Sequence, residues 1–217
     1  MRGLLLNYQF GMWDAVLKGI KTNTRRCPSG LDQINKTPGD YKFIGFYKVE
    51  NLKSQYAEFQ NVWDSKITRV LIRNKPGDYA YLQEPVLSWN NQNFYKYTDK
   101  AGHNEAEAFK PLIDRAISEG AHWENKYFMA EQKARYFVKF IDVKVERLQD
   151  ISIRDCLSEG IQTQHSSFYY VYNGVKVFLE TPQKAYFYLY NQINGITENN
   201  NPWVFSYHFE LCEKPNL

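Results

Sequence analysis

The segment WVFSYHFEL, residues 203–211, gives the clearest indication of the fold. Every second position in it is apolar or aromatic: Trp203, Phe205, Tyr207, Phe209 and Leu211. The positions between them hold mostly polar side chains: Ser206, His208 and Glu210. Because side chains alternate between the two faces of a strand, this pattern predicts a long strand with one buried face and one polar face.

A second alternating segment lies at residues 135–148. Its apolar residues, separated by more polar neighbours, are Phe137, Ile141, Val143 and Val145. Lys139 interrupts the alternation near its start. We therefore predict a second long, half-buried strand in this segment.

Turn-forming sequences delimit the shorter strands. Pro-Gly-Asp occurs at 38–40 and 76–78, and the β-rich segments 41–49 and 66–73 adjoin these turns. Asn173-Gly174 lies between two further β-rich segments. This dipeptide favours a tight hairpin turn because both residues tolerate a positive φ, so we predict a β-hairpin there.

Helical spacing is confined to short segments. A strand at residues 3–6 precedes a predicted helix at 10–19 that ends at a glycine. Further helices are predicted at about 105–119, 152–160 and 183–193. Together the predicted strands and helices indicate an α+β, mainly β protein. We expect a small closed or nearly closed β-barrel with short flanking helices.

Length and composition indicate one domain. A chain of 217 residues can build one sizeable core, so we predict a single domain over residues 1–217. The polar stretch at about 88–126, rich in Asn, Lys and Glu, is predicted to be a surface insertion. The chain is unusually aromatic, with 17 Tyr, 14 Phe and 5 Trp, which favours strands and stacking surfaces.

Charge, hydropathy and cysteine spacing limit the kinds of partner that we expect. A net charge of +3 does not by itself indicate a nucleic-acid binder. No apolar stretch approaches the ~20 residues of a membrane span, so we expect no membrane partner and a cytoplasmic location. The three cysteines show no metal-ligand spacing, and we predict neither a metal nor a cofactor.

The run Lys21-Thr22-Asn23-Thr24-Arg25-Arg26 is the strongest candidate for a functional site. It packs three cations and two hydroxyls into six residues. Such a run can offer a base, a nucleophile and anion-binding donors close together. A solvated basic loop is the alternative interpretation of the local pattern.

This run and five later segments, in this order, resemble the ASCH domain, in its larger bacterial and phage-associated branch. The later segments are Gly77-Asp78-Tyr79-Ala80-Tyr81-Leu82-Gln83-Glu84-Pro85, Val145-Glu146-Arg147-Leu148-Gln149-Asp150-Ile151, Glu159-Gly160-Ile161, Tyr190-Asn191-Gln192-Ile193-Asn194 and Asn201-Pro202-Trp203-Val204-Phe205. The chain differs from that branch at three positions. Gln83, Val86 and Tyr190 stand where the branch usually has Arg, Trp and Trp.

The resemblance implies a PUA-like β-barrel that binds RNA or a modified nucleoside. Some small ASCH proteins are amidohydrolases that remove the acetyl group from N4-acetylcytidine. By motif, their catalytic Lys, Thr and Glu correspond to Lys21, Thr24 and Glu159. Ribonuclease activity and RNA binding without catalysis are the alternatives, because the resemblance does not choose between these functions.

The chemistry of these three residues sets two conditions. Lys21 can take a proton from Thr24 only as a neutral amine, which burial favours and a close Glu159 opposes. Either Lys21 serves as a cation while Glu159 moves the proton, or Glu159 is itself the acid or base. In a regular strand Lys21 and Thr24 would point in opposite directions, so a hydrolase requires a bend in the run.

The binding hypothesis uses further residues. In it, Lys21, Arg25 and Arg26 are predicted to hold phosphate. Thr22 beside them is predicted to contact the ligand. Glu84 is predicted to line the cleft, with a strand-end charge paired to an arginine as its alternative. Trp13 is a candidate for stacking on a base, although its helical spacing favours a core residue.

Overall fold

The computed structural model describes residues 1–49, 54–195 and 200–216. It is a mixed α+β protein made mainly of strands. The helices are α1 (Met12–Leu17), α2 (Glu105–Ala108), α3 (Lys110–Ser118), α4 (Ile153–Ser158) and α5 (Pro182–Asn194). The strands are β1 (Arg2–Leu5), β2 (Asn23–Arg26), β3 (Tyr41–Lys48), β4 (Gln55–Asn61), β5 (Ile67–Ile72), β6 (Tyr79–Gln83), β7 (Val86–Trp89), β8 (Gln92–Tyr95), β9 (Trp123–Glu124), β10 (Phe137–Arg147), β11 (Gln162–Gln164), β12 (Ser167–Tyr172), β13 (Val175–Leu179) and β14 (Trp203–Cys212).

The two alternating segments form the centre of a five-stranded sheet with the order β1-β6-β10-β14-β2. β10 and β14 pair antiparallel from Phe137 opposite Cys212 to Arg147 opposite Trp203. β1 pairs parallel with β6, and the other neighbours are antiparallel. β2 lies at the edge of the sheet next to β14, which positions most of the basic run.

The alternation in β10 changes phase at Ile141. The register shifts between Phe140 and Asp142, so Ile141 is the extra residue of a β-bulge. Val138 and Phe140 face the core before the bulge, and Val143 faces it afterwards. Ile141 is therefore 51% exposed, and its grouping with the inward residues was wrong.

The predicted closed barrel is not found. The strands of the described ranges form four open sheets, one of five strands and three of three strands. No backbone ladder joins the two edges of the central sheet, β1 and β2, in these ranges. A side chain bridges them instead, because Nη2 of Arg26 donates a hydrogen bond to the carbonyl oxygen of Leu5 at 2.7 Å.

β14 separates two hydrophobic cores. Phe205, Tyr207 and Phe209 belong to the larger core, as the alternation predicts. Val204 belongs to a second core under α4, α5 and the hairpin of β12 and β13. Because these helices cover the other face of β14, Ser206 on the predicted polar face is buried.

The hairpin at Asn173-Gly174 is confirmed. Tyr172 pairs with Val175 across the turn. Asn173 and Gly174 have φ values of 47° and 80°, the positive values that this turn requires. The predicted helix at 105–119 is instead two helices, α2 and α3, that meet at Phe109.

The segment 88–126 contributes to a small sheet of β8, β7 and β9 and includes α2 and α3. Leu87, Phe94, Ile113 and Ala116 form a separate hydrophobic cluster there. The assignment of this segment as an insertion, and of residues 1–217 as one domain, stays a prediction. None of the helices in the described ranges has the length and apolar character needed to cross a membrane.

Candidate active site

The basic run bends before it enters β2. Gly19 takes a φ of 70°, and the backbone N–H groups of Ile20 and Lys21 both donate to the carbonyl oxygen of Ala15, at 2.8 and 2.9 Å. β2 begins only at Asn23, so Lys21 does not follow the alternation of the strand. As a result Lys21 and Thr24 line the same cavity, as a hydrolase requires.

Lys21 is held by three acceptors. Its side chain is 1% exposed, and Nζ donates to the carbonyl oxygens of Asn23 and Glu159 at 2.7 and 3.0 Å and to Oε2 of Glu159 at 2.5 Å. Burial lowers the pKa of Lys21, and the carboxylate of Glu159 opposes that shift. Three acceptors around Nζ match the three donors of an ammonium group, so Lys21 is a cation in this arrangement.

The end of α4 carries Glu159. The Ser152 hydroxyl caps the helix by accepting a hydrogen bond from the Asp155 backbone N–H at 3.1 Å. Gly160 ends this segment with a φ of 106°, which other residues rarely adopt, and a β-carbon at this position would contact Ala15 and Lys21. This turn brings the buried carboxylate of Glu159 to Nζ of Lys21.

Arg25 joins three carboxylates. Its guanidinium contacts Glu146 at 2.6 Å, Glu159 at 3.2 Å and Asp155 at 3.3 Å. Burial works against the charged form, yet the surrounding carboxylates, Glu159 above all, raise the pKa of Arg25. Asp155 and Glu159 share one face of the α4 turn, as their spacing predicts. Nε, Nη1 and Nη2 of Arg25 each bind a carboxylate, so a phosphate at Arg25 would have to compete with carboxylates for the guanidinium.

Arg26 also lines the cavity but has no carboxylate partner within residues 1–49, 54–195 and 200–216. One of its donors is bound to the carbonyl oxygen of Leu5. Thr22 lies on the outer side of the run, where its backbone pairs with Ser158 and Phe209. The structure therefore separates the predicted ligand-binding residues into two groups.

The cavity beside Lys21 has a volume of about 40 Å³. That volume holds roughly three water molecules, so it is smaller than the expected nucleoside-sized cleft. The Thr24 hydroxyl forms no hydrogen bond within the described part of the chain. The lining residues are Asn7, Met12, Lys21, Thr24, Arg25, Arg26, Glu159, Tyr186, Leu189, Tyr190, Ile193 and Asn194.

Two wider grooves lie on the outer side of the basic run. They have volumes of about 500 and 460 Å³, which is the size range of ligand pockets. Both are lined by Thr22, Arg154 and Ser158. The second groove also contains Lys144 and His208.

Trp13 is a core residue. Its side chain is 0% exposed, and Nε1 donates to the carbonyl oxygen of Thr98 at 2.8 Å. Its ring packs edge-on against Tyr97 and Tyr136. The predicted stacking role of Trp13 is wrong, because neither face of the indole is open to a base, and the core interpretation is confirmed.

Glu84 does not line the cavity of Lys21. It is fully buried and accepts two hydrogen bonds from Arg135, from Nε at 2.9 Å and from Nη2 at 2.7 Å. Burial raises the pKa of Glu84 to about 7, although Arg135 opposes the shift. The alternative interpretation, a strand-end charge paired with an arginine, is confirmed, and the predicted ligand contact is wrong.

Several residues of the site were not predicted from the sequence. Asn23 is buried, its Oδ1 accepts from the Ser206 hydroxyl at 3.0 Å, and its carbonyl binds Lys21. Tyr186 and Tyr190 line the cavity from α5. Their spacing of four residues, which puts both on one helix face, is the signal that could have identified the tyrosines.

Comparison of the chain with family models, with curated proteins and with solved structures finds no match. Within the described residues, no group of three or more His, Cys, Asp or Glu side chains is arranged to hold a metal ion.

Proposed function

We propose that this protein is an ASCH-type, PUA-like protein that binds a modified cytidine, free or in RNA, and hydrolyses its N4-acyl amide. One observation carries the proposal: Lys21, Thr24 and Glu159 line one cavity, and Nζ of Lys21 lies 2.5 Å from Oε2 of Glu159. These are the three residues to which the motif assigns catalysis. The bend at Gly19 that brings Lys21 and Thr24 together is what the reaction needs.

The proton path follows from the contacts of Lys21. Nζ first passes a proton to Oε2 of Glu159 along the hydrogen bond that joins the two atoms. The neutral amine then takes the Thr24 proton as Oγ attacks the acyl carbon. Protonated Glu159 protonates N4 of the leaving cytidine, and the C–N bond breaks. Water then cleaves the threonine ester, releases the carboxylic acid and restores the hydroxyl.

The size of the cavity indicates how the substrate binds. About 40 Å³ suits the small acyl group rather than the pyrimidine ring. In this proposal the acyl group enters, and the base stays at the mouth of the cavity. Asn194, which is exposed, and the half-buried Asn7 line that cavity and offer amide groups to the base.

A non-catalytic RNA-binding module is the second candidate. It is favoured by the two outer grooves, which are larger than the cavity and share the exposed Arg154. An exposed cation beside a groove of this size suits a phosphate and an adjoining base. In this function Lys21 and Glu159 would serve the fold alone.

Hydrolysis is tested by incubating the protein with N4-acetylcytidine and measuring cytidine. We expect turnover by the wild type and by Thr22→Val, and loss of turnover in Lys21→Met, Thr24→Val and Glu159→Gln. Turnover that persists in all three variants would exclude the mechanism.

The second candidate is tested with a short RNA at increasing salt concentration. Salt-sensitive binding without turnover, weakened by Arg154→Ala and unchanged by Arg69→Ala, would favour the module. Arg69 is a suitable control because it is a half-exposed arginine on β5, outside both grooves. Cleavage of the RNA would instead indicate a ribonuclease.

A further inference from the structure

Two hydroxyl groups beside the cavity have no hydrogen-bond partner. Tyr186 and Tyr190 are 2% and 4% exposed, and their hydroxyl oxygens are buried without a partner in residues 1–49, 54–195 and 200–216. Buried polar groups are almost always hydrogen-bonded, so each exception requires an explanation. Both tyrosines line the cavity that holds Lys21, Thr24 and Glu159.

The two hydroxyls are neutral donors. Burial raises the pKa of Tyr186 and of Tyr190, so both phenols keep their protons at neutral pH. Glu159 and Arg25 are among the charges that act on both. A phenol in this environment can donate a hydrogen bond to an oxygen atom that enters the cavity.

Two of the three cations that line the same cavity, Lys21 and Arg25, are already held by protein acceptors. The three protons of Lys21 Nζ face three protein acceptors. Arg25 is bound by three carboxylates. Arg26 uses one N–H of its guanidinium for the carbonyl oxygen of Leu5, and the guanidinium has no other partner in the described residues. Besides the remaining N–H groups of Arg26, an acyl group beside Thr24 therefore meets the tyrosine hydroxyls as donors that no protein acceptor uses in the described chain.

We infer that the Tyr186 and Tyr190 hydroxyls bind the acyl oxygen of the substrate, and that the cavity accepts small amides and the carboxylates released from them. This inference rests on the proposed function. When Thr24 Oγ bonds to the acyl carbon, the electron pair of the C=O bond moves to this oxygen. Donors that are already in position stabilise that charge without reorganisation. The pair returns to form the carbonyl when the C–N bond breaks.

The test replaces each hydroxyl by hydrogen. Tyr186→Phe and Tyr190→Phe keep the rings, and Tyr188→Phe is the matched control because Tyr188 lies on the same helix but is 52% exposed. We expect each cavity variant to unfold at a temperature no lower than the wild type, because the lost hydroxyl has no protein partner. With N4-acetylcytidine, kcat should fall at least about tenfold for each, with little change in KM.

A second measurement does not depend on turnover. Sodium acetate, compared with chloride at the same ionic strength, should raise the unfolding temperature of the wild type and Tyr188→Phe, but not of the cavity variants.

If the wild type turns over substrate and both variants keep its kcat, the inference is overturned while the proposed function stands. If the wild type shows no turnover but the acetate effect is lost only in the cavity variants, the donor site stands and the function falls. An equal acetate effect in all four proteins, without turnover, overturns the donor site.

Discussion

Glu84 and Glu159, the two buried carboxylates of the described residues, both lie beside arginines, and their surroundings differ. Glu84 is fully enclosed, and both of its oxygens are bound by Arg135. Glu159 lies between Lys21 and Arg25 beside a cavity, with two unpartnered tyrosine hydroxyls nearby in the described chain. Burial of a charge is common to both places, so burial does not identify a functional site. Unfilled space and unused donors distinguish the Glu159 centre.

The largest effect on stability is expected from Arg25→Leu. It leaves three carboxylates, Glu146, Asp155 and Glu159, without their shared cation. Breaking one buried pair costs about 3–5 kcal/mol, and we expect a loss at the top of that range or above it. Urea denaturation measures it, with Arg69→Leu as a control that should cost far less, because its ion pair with Glu58 is exposed to solvent on the arginine side. Similar losses for the two variants would contradict the central role of Arg25.

Arg135→Leu removes the partner of Glu84 and tests whether the Glu84–Arg135 pair serves the fold alone. We expect a smaller loss of about 3 kcal/mol, because Glu84 can take up a proton once its partner is gone. Turnover of N4-acetylcytidine per folded molecule should equal that of the wild type. Loss of turnover at a temperature where circular dichroism shows the variant folded would mean that the Glu84 pair takes part in the reaction.

The pH dependence of stability should identify Glu84. Its pKa is about 7 in the folded protein and 4.5 ordinarily, so the folded state binds the proton more tightly. The stability that this group contributes is present below pH 4.5 and is lost as the pH rises through 7. Relative to Glu84→Gln, which does not titrate, the wild type should lose about 3 kcal/mol between these limits. Parallel stability curves from pH 4.5 to 8 would contradict the shift.

The smallest effect on stability is expected at Thr24. Its hydroxyl has no partner in the described residues, so Thr24→Val leaves no other group unpaired and should cost less than about 1 kcal/mol. Thermal unfolding measures this cost. Thr24→Ser, which keeps a hydroxyl, should retain turnover where Thr24→Val does not. A large loss of stability in Thr24→Val would mean that this residue serves the fold rather than the reaction.

Alternation and turn chemistry predicted the parts of the fold that are governed by local rules. The strand at 203–211 and the hairpin at Asn173-Gly174 follow from a period of two and from residues that tolerate a positive φ. The bulge at Ile141 has no such local signal, because it is defined by the register against β14. Closure of the central sheet into a barrel likewise depends on whether its edge strands, β1 and β2, pair with each other. The number of predicted strands does not determine this pairing.

The residues of the candidate site could likewise be predicted only where a motif or a local rule applies. The resemblance points to Lys21, Thr24 and Glu159, which the structure brings to one cavity, and the requirement for a bend follows from strand geometry. The partners of Arg25 come from β10 and α4, more than a hundred residues away, and no local pattern connects them. For Trp13 and Glu84 the prediction of ligand contact is wrong, because a core position and an ion pair with Arg135 explain these two residues.

The most direct test of the central claim is the release of cytidine from N4-acetylcytidine by purified wild type and by Thr24→Val, measured side by side by chromatography. The proposal predicts cytidine and acetate in equal amounts from the wild type, and no release above background from the variant at the same folded concentration. No release by the wild type, or equal release by both proteins, would contradict it.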